Sequence, residues 1–259
     1  MILIDTHTHL YLPEFDNDRN EMVKRAIDAG VEKFYLPNVD SETIESMHNL
    51  EAAFPENCIA MMGLHPCSVK PESYKTELAL VREWLEKRKY AAVGEIGMDL
   101  YWDKSTFEIQ KEALETQCKW ALEFDLPIVI HSRESTQECI DIIKPFINQG
   151  KGLRGVFHCF SGTPEEAKAI TEMGFYLGIG GVITYKKSTL AESIADVPLN
   201  KLVLETDSPY LSPVPYRGKR NESSYIRYVL EFLSESRRIG KKELAEITTQ
   251  NANELFKGR

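Results

Sequence analysis

Met1 to Leu10 reads MILIDTHTHL, and this stretch guides the interpretation of the whole chain. The apolar run at residues 2–4 is typical of a short buried strand, and Asp5, His7 and His9 follow it at every second position. In an extended backbone that period places all three side chains on one side. Two imidazoles at the end of a buried strand suit zinc and related divalent ions. An isolated HxH is more often two surface or hydrogen-bonded histidines than a pair of metal ligands, so the rest of the sequence has to decide.

The composition indicates a soluble globular protein, since 42% of the 259 residues are hydrophobic and 27% are charged. The chain starts without the basic segment and longer apolar run of a secretion signal. No later stretch is apolar enough to span a bilayer, so we expect a cytoplasmic protein without membrane association. The net charge of −9 argues against broad electrostatic binding to nucleic acid. Bound divalent cations would still allow a nucleic acid to be held locally.

Eight short apolar segments recur along the chain, each followed by a helical pattern. They are residues 2–4, 33–37, 57–64, 91–95, 127–131, 155–158, 175–179 and 201–205. Apolar strands separated by helices predict a parallel sheet covered by helices. Eight such units favour the α/β class and a single (β/α)8 TIM-type barrel, with an open doubly wound sheet as the alternative. No linker interrupts the series, so we predict one domain over 1–259. An additional C-terminal helix containing Leu244, Ile247 and Leu255 is expected on the outside.

Potential metal ligands are concentrated at the ends of these strands, where the active site of a barrel lies. Five of the six histidines end or follow a strand, and only His48 lies mid-helix, where a surface position is expected. The strand-end donors and acids are His7, His9, His65, Glu95, His131, His158, Glu205 and Asp207. Nitrogen and oxygen donors without thiolate indicate zinc, manganese, magnesium or iron. Even six donors of this kind exceed the need of one tetrahedral zinc, which favours a two-metal site.

Each carboxylate also has an ordinary structural interpretation. Glu95 lies in an apolar strand, so it needs either a buried basic partner or cations at the barrel mouth. Asp207 would otherwise cap the turn at Ser208-Pro209, and Asp99 would be a loop residue without a role. Asp5 sits one step deeper than the histidines, and we expect it to support a ligand without binding metal itself.

The cysteines offer a weaker alternative chemistry. Cys58, Cys67, Cys118, Cys139 and Cys159 form no CxxC pair and are odd in number, which supports neither a disulfide framework nor a thiolate zinc site. His158 precedes Cys159, but neighbours in a strand point to opposite faces, so the two are not expected to act as a nucleophile and base. Cys67 lies near His65 without any residue that marks a base for it.

Seven stretches, in order along nearly the entire chain, together resemble the TatD-type deoxyribonucleases of the metal-dependent hydrolase superfamily. They are DTHTHL (5–10), GLHP (63–66), VGEIGMD (93–99), PIVIHSR (127–133), HCFSG (158–162), ETDSPYL (205–211) and PVPYRGKRNE (213–222). Met98 and Ser223 stand where leucine and proline are common in the family, and both departures leave the donor set intact. The resemblance implies a barrel, two divalent ions such as Mg, Mn or Zn, and hydrolysis of phosphodiester bonds in DNA.

Carried over position by position, the resemblance also implies a ligand set. His7, His9, Glu95 and Asp207 would surround one metal, with Glu95 shared, and His131 and His158 would complete the other. The expected substrate is DNA with single-stranded or frayed ends, cleaved by an exonuclease that needs no obligate protein partner.

We expect further roles for residues around these ligands. Asp207 is the best general base, Glu205 orients a ligand, and His65 and Arg133 hold the phosphate. Tyr101 and Trp102 are candidates for stacking on a base. Four basic loop residues are candidates for tracking a nucleic-acid backbone, with a solvated loop as the alternative: Lys104, Arg217, Lys219 and Arg220.

Two rival functions stay open from the sequence. The same centre would serve an ester or amide hydrolase, such as a D-aminoacyl-tRNA deacylase or a cyclic amidohydrolase. Many of those amidohydrolases bridge their metals with a modified lysine on strand four, and Glu95 takes that place here, which favours the nuclease. A catalytically silent binding module is the second rival, against which the full donor set argues.

Overall fold

Eight parallel strands alternate with helices in the computed structural model, which describes residues 1–149 and 152–257. The strands are β1 (Leu3–Asp5), β2 (Val31–Pro37), β3 (Cys58–Met61), β4 (Val93–Asp99), β5 (Ile128–Arg133), β6 (Gly155–Phe157), β7 (Tyr176–Ile179) and β8 (Leu202–Leu204). The α-helices are α1 (Arg19–Asp28), α2 (Ile44–Ala53), α3 (Tyr74–Lys87), α4 (Phe107–Phe124), α5 (Thr136–Ile143), α6 (Pro164–Glu172), α7 (Leu190–Ser193), α8 (Ile226–Arg237) and α9 (Lys241–Leu255). The predicted domain of 1–259 includes 150–151 and 258–259, which lie outside the described residues.

The strands close into a barrel. Neighbours pair in sequence order, as β1-β2-β3 and as β4 to β8. A bridge between Met62 and Val93 joins the two sets. The Thr6 amide, which follows β1, donates to the Leu204 carbonyl of β8 at 3.1 Å, so the last strand lies beside the first. The predicted (β/α)8 barrel is therefore confirmed, and the open sheet is wrong.

In β5, successive residues face opposite sides of the barrel wall. Val129 of β5 and Val203 of β8 belong to an inner cluster, whereas Ile128 and Ile130 pack with the helices outside. Burial on both sides explains why the strands read as continuous apolar runs in the sequence.

Helix α9 closes the amino-terminal end of the barrel. Its Phe256 belongs to the inner cluster and stacks on Tyr35, with ring centroids 3.8 Å apart. Thr249 Oγ1 donates to the Ile2 carbonyl at 3.1 Å, and Asn251 Nδ2 donates to the Leu202 carbonyl at 2.7 Å. The predicted C-terminal helix exists and its Leu244 packs in the outer core as expected, but a purely outside position is corrected, because Leu255 and the following Phe256 cover the barrel interior.

Two other elements differ in length from their predictions. Strand β4 continues past Glu95 to Asp99. The helical pattern after β7 gives only a single turn, α7, although Ile194 and Val197 beyond it are buried in the outer core. No described helix combines the length and apolarity needed to cross a bilayer.

Candidate metal centre

The segment after β1 carries two histidines into the mouth of the barrel. The Thr8 amide donates to the Tyr35 carbonyl of β2 at 3.1 Å, and the His9 amide donates to the Ser208 carbonyl beyond β8 at 2.7 Å. These bonds keep the chain extended after β1, so the period of two continues and both His7 and His9 point to the centre.

One oxygen of the buried Glu95 carboxylate faces the histidines that follow β1. Glu95 Oε2 lies 3.1 Å from His7 Nε2 and 3.5 Å from His9 Nε2. Asp207 Oδ1 approaches the same two nitrogens at 3.7 and 3.6 Å. Four side chains that the sequence predicts around one metal therefore converge at this point.

The other oxygen of Glu95 faces histidines from three further strand ends. Glu95 Oε1 lies 2.9 Å from His131 Nδ1, 2.9 Å from His158 Nε2 and 3.2 Å from His65 Nε2. The structure thus brings His65, predicted only to hold phosphate, as close to Glu95 as two predicted ligands. It also brings together every residue of the predicted ligand set.

The donor arrangement fits divalent cations. His7 Nε2 and His9 Nε2 face each other at 3.3 Å, so one ring donates its proton to the other in the absence of a cation, and a bound cation would take the place of that proton. The surrounding imidazole and carboxylate donors suit zinc, manganese and related ions.

The electrostatics of the centre favour a negative Glu95. Burial opposes its ionisation, but the surrounding histidines, His158 first, hold the pKa of Glu95 well below the usual carboxyl range. Burial also opposes charge on His9, yet hydrogen bonds to Asp207 and Glu95 raise the pKa of His9 to about 10. Burial, aided by His158, lowers the pKa of His7. Without a cation the centre therefore keeps a proton on His9, and a metal ion would compete with that proton.

Comparison with known proteins agrees with this geometry. The family model described as TatD related DNase matches residues 4–257. The chain belongs to the TatD family.

The metal-dependent hydrolase YabD of Bacillus subtilis (strain 168), itself called uncharacterized, is 37% identical over 257 residues, covering 99% of each chain. The 3'-5' ssDNA/RNA exonuclease TatD of Pantoea vagans (strain C9-1) is 31% identical, covering 98% of this chain and 99% of that protein. The crystal structure of YjjV, a TatD homolog from Escherichia coli K12, superposes with a TM-score of 0.91 at 34% identity and 98% coverage of both chains.

Around this TatD-family centre, Asp99 supports His131. Its Oδ2 atom lies 2.9 Å from His131 Nε2, and its Oδ1 atom accepts the amides of Tyr101 and Trp102 at 3.0 and 3.2 Å. Burial opposes ionisation, but the bond to His131 lowers the pKa of Asp99 to about 2. The interpretation of Asp99 as a loop residue without a role is therefore corrected, because it is the buried last residue of β4.

Tyr11 orients His9, and sequence reasoning missed it. The Tyr11 hydroxyl donates to the Pro37 carbonyl and lies 2.8 Å from His9 Nδ1. Since a hydroxyl has one proton, its oxygen accepts from His9 Nδ1–H, which leaves the Nε2 lone pair facing the centre. The signal that could have identified Tyr11 is the period of two, because Tyr11 follows Asp5, His7 and His9 at the same spacing.

Glu205 and Asp5 support the centre from below. Glu205 Oε1 lies 3.5 Å from His158 Nδ1 and accepts the Cys159 amide. Asp5 Oδ2 accepts the hydroxyls of Thr206 and Ser223, both at 2.6 Å, and burial raises the pKa of Asp5 to about 7. The Asp5 carboxylate thus joins β1 to the segments that follow β8.

Neither candidate cysteine is placed as a nucleophile. Burial raises the pKa of Cys159 well above the usual thiol value, and Asp207 and Glu205 reinforce the rise. Burial also raises the pKa of Cys67 to about 12. His48, expected at the surface, is half-buried, with Nε2 2.9 Å from the Tyr90 hydroxyl.

The basic residues of the rim differ in what they contact. The Arg133 guanidinium lies 3.8 Å from the Tyr101 ring centroid, and Arg217 lies 4.2 Å from that of Tyr185. Arg220 pairs with Asp18 at 2.7 Å. Lys104 Nζ is 3.6 Å from Glu134, and Lys219 Nζ is 5.8 Å from the Tyr216 ring.

Proposed function

We propose that this TatD-family hydrolase is a divalent-metal-dependent deoxyribonuclease acting as an exonuclease on single-stranded or frayed DNA ends. The observation that carries the proposal is the buried Glu95 carboxylate, whose two oxygens face separate sets of donors. In this assignment His7, His9, Glu95 and Asp207 hold one cation. Glu95, His131 and His158 hold the second.

A nucleic-acid substrate is supported by the Pantoea vagans relative, whose name describes a 3'-5' ssDNA/RNA exonuclease. Nearly all of each chain is covered by that alignment. The net charge of −9 is compatible with DNA because the cations themselves would attract the phosphate.

The proposed chemistry is phosphodiester hydrolysis. When bound, the cations supply an activated water and compensate the charge that develops on the phosphate oxygens. Asp207 is the general base, because its side chain reaches the mouth with 13% exposure and accepts the water proton. Burial opposes ionisation of Asp207, but the hydrogen bond from His9 and the charges of the surrounding histidines together lower the pKa of this carboxyl.

Other residues hold the substrate or position the ligands. Glu205 fixes the ring of His158 through its 3.5 Å contact. His65 and Arg133 bind the phosphate, and the planar guanidinium matches the geometry of two phosphate oxygens.

A second candidate is hydrolysis of an aminoacyl-tRNA ester. The supporting observation is a cavity beside β5 and β6 whose lining includes Glu134, Glu138, Glu166 and Glu192 and a single basic residue, Arg133. Acidic walls suit the ammonium group of an aminoacyl ester better than they suit phosphate. A cyclic amide would gain nothing from these charges.

One panel of substrates distinguishes these functions. Purified protein with added magnesium, manganese or zinc is given single-stranded DNA, bis(p-nitrophenyl) phosphate, dihydrouracil and D-aminoacyl-tRNA. We expect metal-dependent DNA cleavage that Asp207→Asn abolishes. The matched control Glu246→Gln, on α9 at the opposite end of the barrel, retains activity. Turnover of the tRNA ester without DNA cleavage would overturn the nuclease proposal.

A further inference from the structure

Exposed apolar side chains gather around the mouth of the barrel. Among the described residues, the large exposed ones are Met1 and Ile2 at the amino-terminal end and Tyr101, Trp102, Tyr210, Leu211 and Val214 at the mouth. Trp102 is 70% exposed. Exposing an indole costs hydrophobic free energy, and exposed apolar surface of this kind marks a binding site.

The first wall of the mouth consists of Tyr101, Trp102 and Arg133. Asp99 Oδ1 accepts the amides of both aromatic residues, and Asp99 Oδ2 contacts His131 at 2.9 Å. The Arg133 guanidinium lies 3.8 Å from the Tyr101 ring centroid and 5.4 Å from that of Trp102. The wall is therefore anchored to a residue that also contacts a candidate metal ligand.

The second wall consists of Tyr210, Tyr185 and Arg217. The Tyr210 ring centroid lies 6.3 Å from that of His9, and the Tyr210 amide donates to the Asp207 carbonyl at 2.8 Å. The Arg217 guanidinium lies 4.2 Å from the Tyr185 ring centroid. Because His9 and His131 approach different oxygens of Glu95, the two walls flank the centre from different sides.

We propose that the two walls hold one single-stranded nucleic acid across the centre, with one base stacked on Trp102 and another on Tyr210. This inference rests on the proposed nuclease function and specifies its substrate as a strand with at least two unpaired nucleotides. Every base offers a π face, so stacking of this kind is tolerant of sequence. A blunt duplex buries the faces of its bases in its own stack and does not offer two of them.

Each arginine supplies a phosphate contact without a broad positive surface. One face of each guanidinium is covered by a tyrosine ring, which leaves its N–H edge for phosphate oxygens. Two phosphate contacts on a single strand predict a slope of about −1.4 in log K against log salt. Binding through stacking therefore depends weakly on salt, as expected for a protein of net charge −9.

The test measures binding and turnover separately. Binding of a fluorescein-labelled, nuclease-resistant phosphorothioate dT8 is followed by anisotropy with manganese present. Trp102→Ala and Tyr210→Ala each weaken binding about tenfold, and Trp102→Phe recovers most of the loss. Ile2→Ala, which removes exposed apolar surface at the other end of the barrel, leaves binding unchanged. Ile2→Ala turns over bis(p-nitrophenyl) phosphate at the wild-type rate, and cooperative thermal unfolding of Trp102→Ala and Tyr210→Ala shows that their weaker binding is not caused by misfolding.

The outcomes separate this proposal from the proposed function. If the wild type hydrolyses no phosphodiester but dT8 binding still requires Trp102 and Tyr210, the nuclease assignment fails and the proposed binding role of the two walls is supported. If phosphodiesters are hydrolysed but neither alanine variant weakens dT8 binding, that binding role is wrong. Binding of blunt duplex DNA as tight as that of dT8 would also overturn this role of the walls. So would a slope of about −4 or steeper in log K against log salt.

Discussion

Single side chains outside the proposed ligand set fix the orientation of the histidines. Tyr11 sets the tautomer of His9 because its own proton is committed to the Pro37 carbonyl. Glu205 contacts His158 and is itself accommodated only because residue 178 is glycine: a Cβ there would lie 2.7 Å from Glu205 Cδ. The centre therefore depends on residues outside the proposed ligand set.

Replacing Tyr11 by phenylalanine is expected to lower the affinity for zinc or manganese about 10- to 100-fold. The change removes the acceptor for His9 Nδ1–H, so the ring is free to adopt the other tautomer or to rotate. Isothermal titration of the metal-free protein measures the affinity. Tyr90→Phe is the matched control, because the Tyr90 hydroxyl also contacts a histidine, His48, away from the centre. Equal affinities for the wild type and Tyr11→Phe would contradict this role.

Gly178→Ala is expected to destabilise the protein by about 1–3 kcal/mol through overpacking against Glu205. Urea unfolding measures this loss, and the displaced carboxylate should also weaken metal binding through His158. Gly180→Ala serves as the control, since a Cβ there would meet Glu205 Cγ at 3.7 Å, an ordinary van der Waals contact, and should cost clearly less stability. If the two variants were equally stable, the close fit at Gly178 would be unimportant.

At the scale of elements, the barrel has a structural end and a chemical end. Helix α9 seals the amino-terminal end, while the candidate ligands lie in or after the carboxyl-terminal parts of the strands, at the other end. A mutation at the structural end should therefore change stability without changing the centre.

Phe256→Ala tests this separation. The side chain is 1% exposed and stacks on Tyr35 inside the barrel, so its removal should cost about 3–5 kcal/mol of unfolding free energy. Metal affinity, measured by titration below the unfolding transition, should match that of the wild type. The exposed Ile2→Ala variant, at the same end, should unfold nearly as the wild type does. A large loss of metal affinity in Phe256→Ala would show that the two ends are coupled.

The sequence predicted those elements whose signal is periodic. His7 and His9 were predictable because an extended chain alternates its side chains, and the eight strands because each is apolar on both faces. The roles of Asp99 and Tyr11 were not predictable, because each depends on contacts with a distant strand. The position of α9 was missed for a related reason: an apolar helix face does not specify which end or side of a barrel it covers.

At the scale of the whole molecule, the centre connects distant parts of the chain. Its side chains come from the ends of β1, β3, β4, β5, β6 and β8, and they converge on the single carboxylate of Glu95. Because those strands close one barrel, these side chains come together only in the folded protein. A ligand bound among them should therefore stabilise the entire fold against unfolding.

Metal ions are therefore expected to raise the unfolding temperature. A cation at about 100 times its Kd adds about 2.7 kcal/mol, which corresponds to roughly 5–10 °C for a chain of this size. Calorimetric scans of protein treated with a chelator, then supplied with zinc, manganese or magnesium, measure the shift. Glu95→Gln should abolish the shift, because it removes the charge that faces both groups of histidines, whereas Glu246→Gln on α9 should keep it. The same shift in Glu95→Gln as in the wild type would mean that the stabilising ion binds elsewhere, and the proposed two-metal centre would be wrong.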